Sequence, residues 1–173
     1  MNLFLSIPAA LALIGFIVST IVHIAALMGT KIFPEAEILH VGIFVVFFPA
    51  ILSTIRVQKL RMNRSDVWKL LLLGCPSWMK KVTYVLFSYA IVNFIIFAIL
   101  PKGSPQNGSM PVEVIRGFSG HWIIFYWASF AILYSRIKTK GQYALVCTTC
   151  SNQCSPFDQF CSKCGAKLSR LKD

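Results

Sequence analysis

Residues 3–29 read LFLSIPAALALIGFIVSTIVHIAALMG, a run that contains no Asp, Glu, Lys or Arg. Three further uncharged apolar segments follow, at residues 38–55, 82–100 and 118–135. A helix needs about 17–25 mainly apolar residues to cross the ~30 Å hydrocarbon core of a bilayer. The sequence therefore predicts an all-α membrane protein in which residues 1–136 form four transmembrane helices.

Charge is distributed very unequally among the connecting loops. Of the 17 Lys and Arg residues, 14 lie between segments two and three or after segment four, together with three Asp, for a net +11. The other three share the remaining two loops with three Glu, for a net charge of zero. Because positive residues beside membrane spans are retained in the cytoplasm, both termini are predicted to be cytoplasmic. Orientation and attraction to anionic headgroups account for this charge, so the predicted partner is the lipid bilayer and nucleic acid is disfavoured.

The inner loop, residues 56–81, has the composition of an amphipathic helix. Ser65-Asp66 has the character of a helix N-cap and precedes an apolar run. The loop either lies in the headgroup region, with Trp68 and Trp78 as interfacial anchors, or packs on the bundle as an ordinary connecting helix. Ser77 is expected to cap the helix that becomes segment three.

The tail contains two cysteine pairs with the spacing of a structural metal site. Two residues separate the cysteines of each pair, and ten residues separate the pairs. Four thiolates at ~2.3 Å satisfy tetrahedral zinc, and a unit of about 25 residues depends on metal for its folding energy. Zinc is thus the predicted cofactor, with four-cysteine iron as the alternative; a disulfide role is disfavoured in a cytoplasmic tail. The predicted ligands are Cys147, Cys150, Cys161 and Cys164.

The segment FCSKCGAKL, residues 160–168, resembles the second knuckle F-C-x-x-C-G-x-x-L of the short zinc ribbons found at the ends of many bacterial proteins. Gly165 permits a left-handed turn after the second pair. The first knuckle departs from the pattern: Ser151 stands where glycine is common, and Cys154 is an extra thiol that competes with Cys150 for one ligand position. The resemblance implies a ribbon over residues 147–168, joined to the bundle by a linker at 137–146.

Three histidines, His23, His40 and His121, fall on the predicted outer side, near Glu35 and Glu37. Imidazoles from three helices are able to bind a transition metal or haem, and ionisable groups inside spans are functional candidates. The alternative is structural. His40 and His121 would then be interfacial residues, and His23 an interhelical hydrogen-bond donor.

Two further stretches, GCPSWM leading to YAIVNF (residues 74–79 and 89–94) and RGFSGHW (116–122), resemble a group of uncharacterised bacterial membrane proteins. That resemblance implies a bacterial inner membrane and lends no catalytic residue. The chain has no phosphate-binding loop, zinc-protease helix or nucleophile elbow, and no charged residue at the centre of a span. We therefore expect a non-enzymatic membrane protein whose ribbon docks a cytoplasmic partner. The alternatives are a haem- or metal-binding membrane protein and a small transporter or channel.

Overall fold

The computed structural model describes residues 3–33, 35–58, 64–100, 110–139, 145–155 and 158–168, and the structural statements below concern these residues. The described chain is mostly helical and ends in a small two-stranded sheet. The helices are α1 (Leu3–Leu27), α2 (Ile38–Gln58), α3 (Arg64–Leu71), α4 (Ser77–Ile99) and α5 (Val112–Lys138), and the strands are β1 (Leu145–Val146) and β2 (Gln153–Cys154).

The four apolar segments form α1, α2, α4 and α5. Within the described ranges, two helical stretches are long and apolar enough to cross a membrane, Phe4–Leu27 of α1 and Ser77–Ile99 of α4. Helix α2 contributes a shorter apolar stretch, Ile38–Thr54. Helix α5 extends beyond the predicted segment at both ends and mixes Gly, Ser, His and Tyr with its apolar residues. Of the four predicted spans, those in α1 and α4 are thus candidate spans in the structure. Helices α2 and α5 do not meet the same criteria of length and apolar composition.

Helix α5 lies at the centre of the helical part, where it contacts each of the other four helices. Glycines permit this close packing. A Cβ atom on Gly15 of α1 or on Gly42 of α2 would overlap the Tyr126 side chain. The Tyr126 hydroxyl donates to the Leu39 carbonyl oxygen at 2.8 Å. One buried tyrosine of α5 therefore fixes the positions of both α1 and α2.

Helices α4 and α5 also approach each other closely at glycines, which here belong to α5. A Cβ on Gly117 would overlap the Phe97 ring, and one on Gly120 would overlap the Asn93 side chain. Asn93 Nδ2 then donates to the Gly117 carbonyl oxygen at 2.8 Å. Small residues that let helices approach closely, with polar side chains bonded across the contact, are typical of helix packing in membranes.

The loop before α4 packs on the end of α5. Leu70, Leu71 and Leu72 are buried, the Gly74 N–H donates to Ser135 Oγ at 3.0 Å, and Cys75 Sγ donates to the Ala131 carbonyl oxygen at 3.2 Å. Burial raises the pKa of the Cys75 thiol to about 11, so this cysteine is an inert packing group. These contacts fit a connecting helix packed on the bundle.

Two cap predictions in this loop are wrong. Helix α3 begins at Arg64, so Ser65-Asp66 lies inside its first turn and not before it. The N-cap of α4 is Pro76, in extended geometry, and Ser77 is the first helical residue with no side-chain cap bond. A proline fixes its own φ and has no N–H to satisfy, so it begins a helix at little cost. Trp68 and Trp78 are partly exposed, and their anchoring role stays a prediction.

Candidate metal centre

Each cysteine pair lies at the tip of a short antiparallel hairpin. Strands β1 and β2 pair with Leu145 opposite Cys154 and Val146 opposite Gln153. A single bridge between Phe160 and Lys167 closes the second hairpin. The two hairpins bring their cysteine tips together in one cluster.

The two hairpin tips, which we call the knuckles, have the same backbone hydrogen bonds. In the first knuckle, residues 147–152, the Cys147 N–H donates to the Asn152 carbonyl at 2.9 Å and the Ser151 N–H donates to the Cys147 carbonyl at 2.8 Å. In the second knuckle, residues 161–166, the equivalent bonds are 2.8 and 2.9 Å. The fifth residue of each knuckle is left-handed: φ is 56° at Ser151 and 73° at Gly165. The predicted left-handed turn at Gly165 is thus confirmed, and Ser151 adopts the same turn.

The knuckles bring four sulfur atoms into one group. All four Sγ atoms of Cys147, Cys150, Cys161 and Cys164 lie within 4.8 Å of one another. Cys147 Sγ is 3.6 Å from Cys164 Sγ, and Cys150 Sγ is 3.5 Å from Cys161 Sγ. Metal–sulfur bonds of ~2.3 Å at tetrahedral angles place sulfurs about 3.8 Å apart. The four cysteines therefore fit a metal ion, and zinc remains the predicted one.

The knuckle backbone also favours the thiolate form that a metal requires. The N–H groups of Cys164 and Lys163 point at Cys161 Sγ and lower its pKa to about 6, with Lys163 N 3.4 Å from the sulfur. Two N–H groups of the first knuckle lower the pKa of Cys147 in the same way. Such N–H···S bonds are a usual feature around metal-bound thiolates, since they stabilise the negative charge.

The pKa of the other cysteine of the first knuckle is shifted in the opposite direction. The pKa of Cys150 is raised to about 12: the Asn152 N–H lowers it, but the hydrogen bond to the Cys164 sulfur, burial and the hydrogen bond to the Cys161 sulfur together outweigh that effect. Because a metal binds the thiolate form of cysteine, metal binding at Cys150 is coupled to proton release.

Cys154 lies outside the four-sulfur group. Its side chain is buried with Leu168 in the small apolar cluster of the tail, and burial raises its pKa. It contacts Asn152, with the amide nitrogen at 3.8 Å and the carbonyl oxygen at 3.7 Å, and its sulfur also interacts with the Cys161 side chain. The structure thus groups Cys150, and not Cys154, with the other three sulfurs, and leaves Cys154 buried beside Cys161.

His23 is buried at the meeting of α1, α4 and α5. Its Nδ1 is 2.8 Å from Ser119 Oγ, and its Nε2 bonds the Tyr89 hydroxyl. Ser119 Oγ is also placed to donate to the Arg116 carbonyl at 3.2 Å. If that bond uses the hydroxyl proton, Nδ1–H donates to Ser119 and Tyr89 donates to Nε2. Both imidazole nitrogens are satisfied within the bundle, which matches the structural alternative for this residue.

The other two histidines have different partners. Trp122 Nε1 donates to His40 Nδ1 at 3.2 Å, and His121 Nδ1 donates to the Gly117 carbonyl of its own helix at 3.0 Å. In the described part of the chain, the four cysteines are the only group of three or more potential ligands whose donor atoms lie together. The structure therefore does not assemble His23, His40 and His121 into one metal site.

Sequence reasoning missed the partners of His23, although both lie in predicted spans. A Tyr and a Ser inside apolar segments are a weak signal, because hydroxyl side chains in helices often bond their own backbone. Only the three-helix arrangement shows that these hydroxyls meet one imidazole. No protein-family model, curated protein or solved structure matches this chain.

Proposed function

We propose that this chain is a four-span protein of a bacterial cytoplasmic membrane whose zinc ribbon docks a cytoplasmic partner protein. The observation that carries the membrane assignment is the distribution of side chains, with apolar residues on the outside of the bundle and polar residues inside. Large apolar side chains face outward, such as Val85 at 67% exposure and Phe44 at 65%, while His23 is 4% exposed inside. A bundle in water has the opposite distribution, because exposed apolar patches of this extent are costly there.

The two helices that are not candidate spans fit the same placement. Helix α2 has 21 residues and is about 31 Å long at 1.5 Å per residue, and α5 has 27 residues and is about 40 Å long. Most of helix α5 is covered by its neighbours. Its buried polar side chains bond a neighbouring helix, as Trp122 and Tyr126 do to α2, or their own helix backbone, as Ser129 does, so they are satisfied without water. Its lower hydropathy is a consequence of its central position.

Orientation follows from the charge asymmetry. A reporter active only on the outside is expected to be silent when fused after Asp173 and active when inserted within residues 102–110. The reverse pattern would overturn the orientation and would place the cysteines in an oxidising compartment, where a disulfide role becomes the better explanation.

The ribbon is the part suited to a protein partner. Within the described residues, neither of its strands contacts a helix, and two apolar side chains of the tail, Val146 and Phe160, are 61% and 57% exposed. A unit of this size has no room for a catalytic cleft. Exposed aromatic and aliphatic side chains on a rigid frame are the usual anchors of protein–protein contacts.

The docking proposal is tested with a variant that removes the anchors and keeps the metal. We expect Val146→Ala combined with Phe160→Ala to retain zinc but to lose a stoichiometric cross-linked partner in membranes, whereas exposed Gln159→Ala retains both. Deleting residues 147–173 should also abolish partner capture and change the melting temperature of the bundle by no more than a few degrees. A large loss of thermal stability on deletion, with the same co-purifying proteins, would show a purely structural cap.

The alternatives have direct signatures. Haem bound by the histidines predicts a visible absorbance band in the detergent-purified protein, and a transporter or channel predicts ion flux in liposomes. The contacts of His23, His40 and His121 give each imidazole a separate protein partner, which favours neither alternative over docking.

A further inference from the structure

One side of α5 is left open by its neighbours. Over their described residues, α2 and α4 contact α5 but not each other. The gap between them is a half-open cavity of about 630 Å³, within the ~300–1,000 Å³ range typical of ligand sites. We call this cavity the α2–α4 groove. Because the groove opens sideways from the bundle, the proposed membrane placement makes it accessible from the lipid phase.

The wall of the α2–α4 groove is hydrocarbon. Phe47 of α2 and Phe125 of α5 form its floor, with ring centroids 5.3 Å apart at 88°. Thr83 lies at one end of the α4 wall, and its Oγ1 is already engaged by Met79 and Trp127. An apolar chain therefore enters without desolvating a free polar group.

The two ends of the groove differ. At one end, Phe94 stacks edge-on against His121, with ring centroids 5.3 Å apart. At the other end, the α3 residue Trp68 lines the wall beside Tyr84. Lys80 lies three residues before Thr83 and four before Tyr84, so it continues the groove-lining face of α4 by one turn. The groove thus has a basic, tryptophan-bearing mouth and an aromatic end.

The length of the groove fits one leaflet. The lining residues of α4 extend from Thr83 to Phe94, which is about 16 Å along the helix and half of the ~30 Å hydrocarbon core. The mouth lies on the side where the charge asymmetry places the inner leaflet. An acyl chain that runs from Thr83 to Phe94, with its headgroup beyond Thr83 at the level of Lys80, therefore spans a single leaflet.

From this arrangement we infer that the α2–α4 groove binds one acyl chain of an anionic phospholipid of the inner leaflet, with its phosphate at Lys80. This inference rests on the membrane placement proposed above. A transmembrane helix fits the groove less well, because helices approach each other on small residues and the wall is mainly bulky aromatic and branched side chains. The cationic mouth selects an anionic headgroup over a zwitterionic one.

The test is native mass spectrometry of the detergent-purified full chain, titrated with phosphatidylglycerol or phosphatidylcholine of identical acyl chains. One tight phosphatidylglycerol is expected, bound about fivefold more strongly than phosphatidylcholine, the preference given by one basic contact. Lys80→Gln should reduce this preference to less than twofold, while its exposed neighbour Lys81→Gln keeps it. Glycerol 3-phosphate, which lacks acyl chains, should not compete.

A second variant tests the groove itself. Ile91 lines the groove and is half exposed, so Ile91→Trp fills it without entering the core and should remove the tight binding event for both lipids. The exposed Ala10→Trp on α1 should leave that event unchanged. Unaltered binding in Ile91→Trp, an unaltered preference in Lys80→Gln, or a dimer in place of bound lipid would overturn the inference. Failure of the membrane placement itself is recognised separately, by loss of membrane insertion and of the reporter pattern.

Discussion

The helical part and the tail are held together by different physics. In the helical part, large side chains of α5 such as Tyr126 and Trp122 are buried against neighbouring helices, so stability is spread over many packing contacts. In the tail, the buried cluster consists of cysteines and Leu168 with a few partly buried neighbours. Each change in the bundle should therefore subtract a small amount of stability, whereas the tail should depend on its metal as a single unit.

The largest expected effect is the loss of the ribbon through its second knuckle. Cys161→Ser combined with Cys164→Ser removes two of four ligands, and structural zinc contributes about 10–16 kcal/mol of binding energy in comparable small folds. We expect elemental analysis to show zinc reduced from one per chain to near zero. The melting temperature of the bundle should stay within a few degrees.

Cys154→Ser is the matched control for that loss, because Cys154 is a buried cysteine of the tail that lies outside the four-sulfur group. It should keep most of the zinc. Equal metal loss from Cys154→Ser would show that Cys154 is a ligand and that the first knuckle binds in another arrangement.

The next effect is confined to the bundle. Gly15→Leu places a side chain where the Tyr126 ring lies, and the ring cannot move away freely because Gly42 and the Leu39 carbonyl hold its hydroxyl end. Overpacking of this kind costs about 1–3 kcal/mol, measured by unfolding in detergent. The exposed Ala10→Leu on the same helix should change stability little, and zinc content should be unaltered in both. An equal loss at the two positions would contradict the central role of Tyr126.

The sequence predicts the ribbon and the helices unequally well. The cysteine spacing identifies all four sulfurs that come together, because two-residue separations constrain a local turn. The apolar runs locate four helices, but they do not show that α5 is central, since that depends on Gly15, Gly42 and Gly120 meeting side chains far away in sequence. For the same reason the sequence places the histidines together by their predicted depth, whereas the folded chain gives each one a different neighbour.

A smaller effect is expected from one polar contact between α4 and α5. Asn93→Leu removes the donor to the Gly117 carbonyl, but that oxygen still accepts a bond from His121 Nδ1. Interhelical hydrogen bonds of this kind contribute roughly 0.6–1.7 kcal/mol in membranes, so we expect a loss of about 1 kcal/mol in detergent unfolding. The exposed Ser88→Leu on α4 provides the comparison. A loss as large as that of Gly15→Leu would mean that Asn93 organises more of the bundle than this one bond.

The smallest effect compares the two knuckles with each other. They share their backbone bonds, but Ser151 adopts at φ 56° the left-handed conformation that Gly165 adopts at 73°. A left-handed residue with a Cβ costs roughly 1–2 kcal/mol, and glycine loses about 0.5–1 kcal/mol more backbone entropy on folding. Ser151→Gly should therefore stabilise the metal-bound tail by about 0.5–1 kcal/mol, which raises zinc affinity about two- to fivefold in competition with a chelator.

Ser162→Gly is the control, because Ser162 lies in the second knuckle without a positive φ. Glycine at this position costs backbone entropy and relieves no strain, so the zinc affinity of this variant should fall slightly. If both variants shift affinity in the same direction, the strain at Ser151 does not limit the ribbon, and the first knuckle must be weakened by something other than its missing glycine.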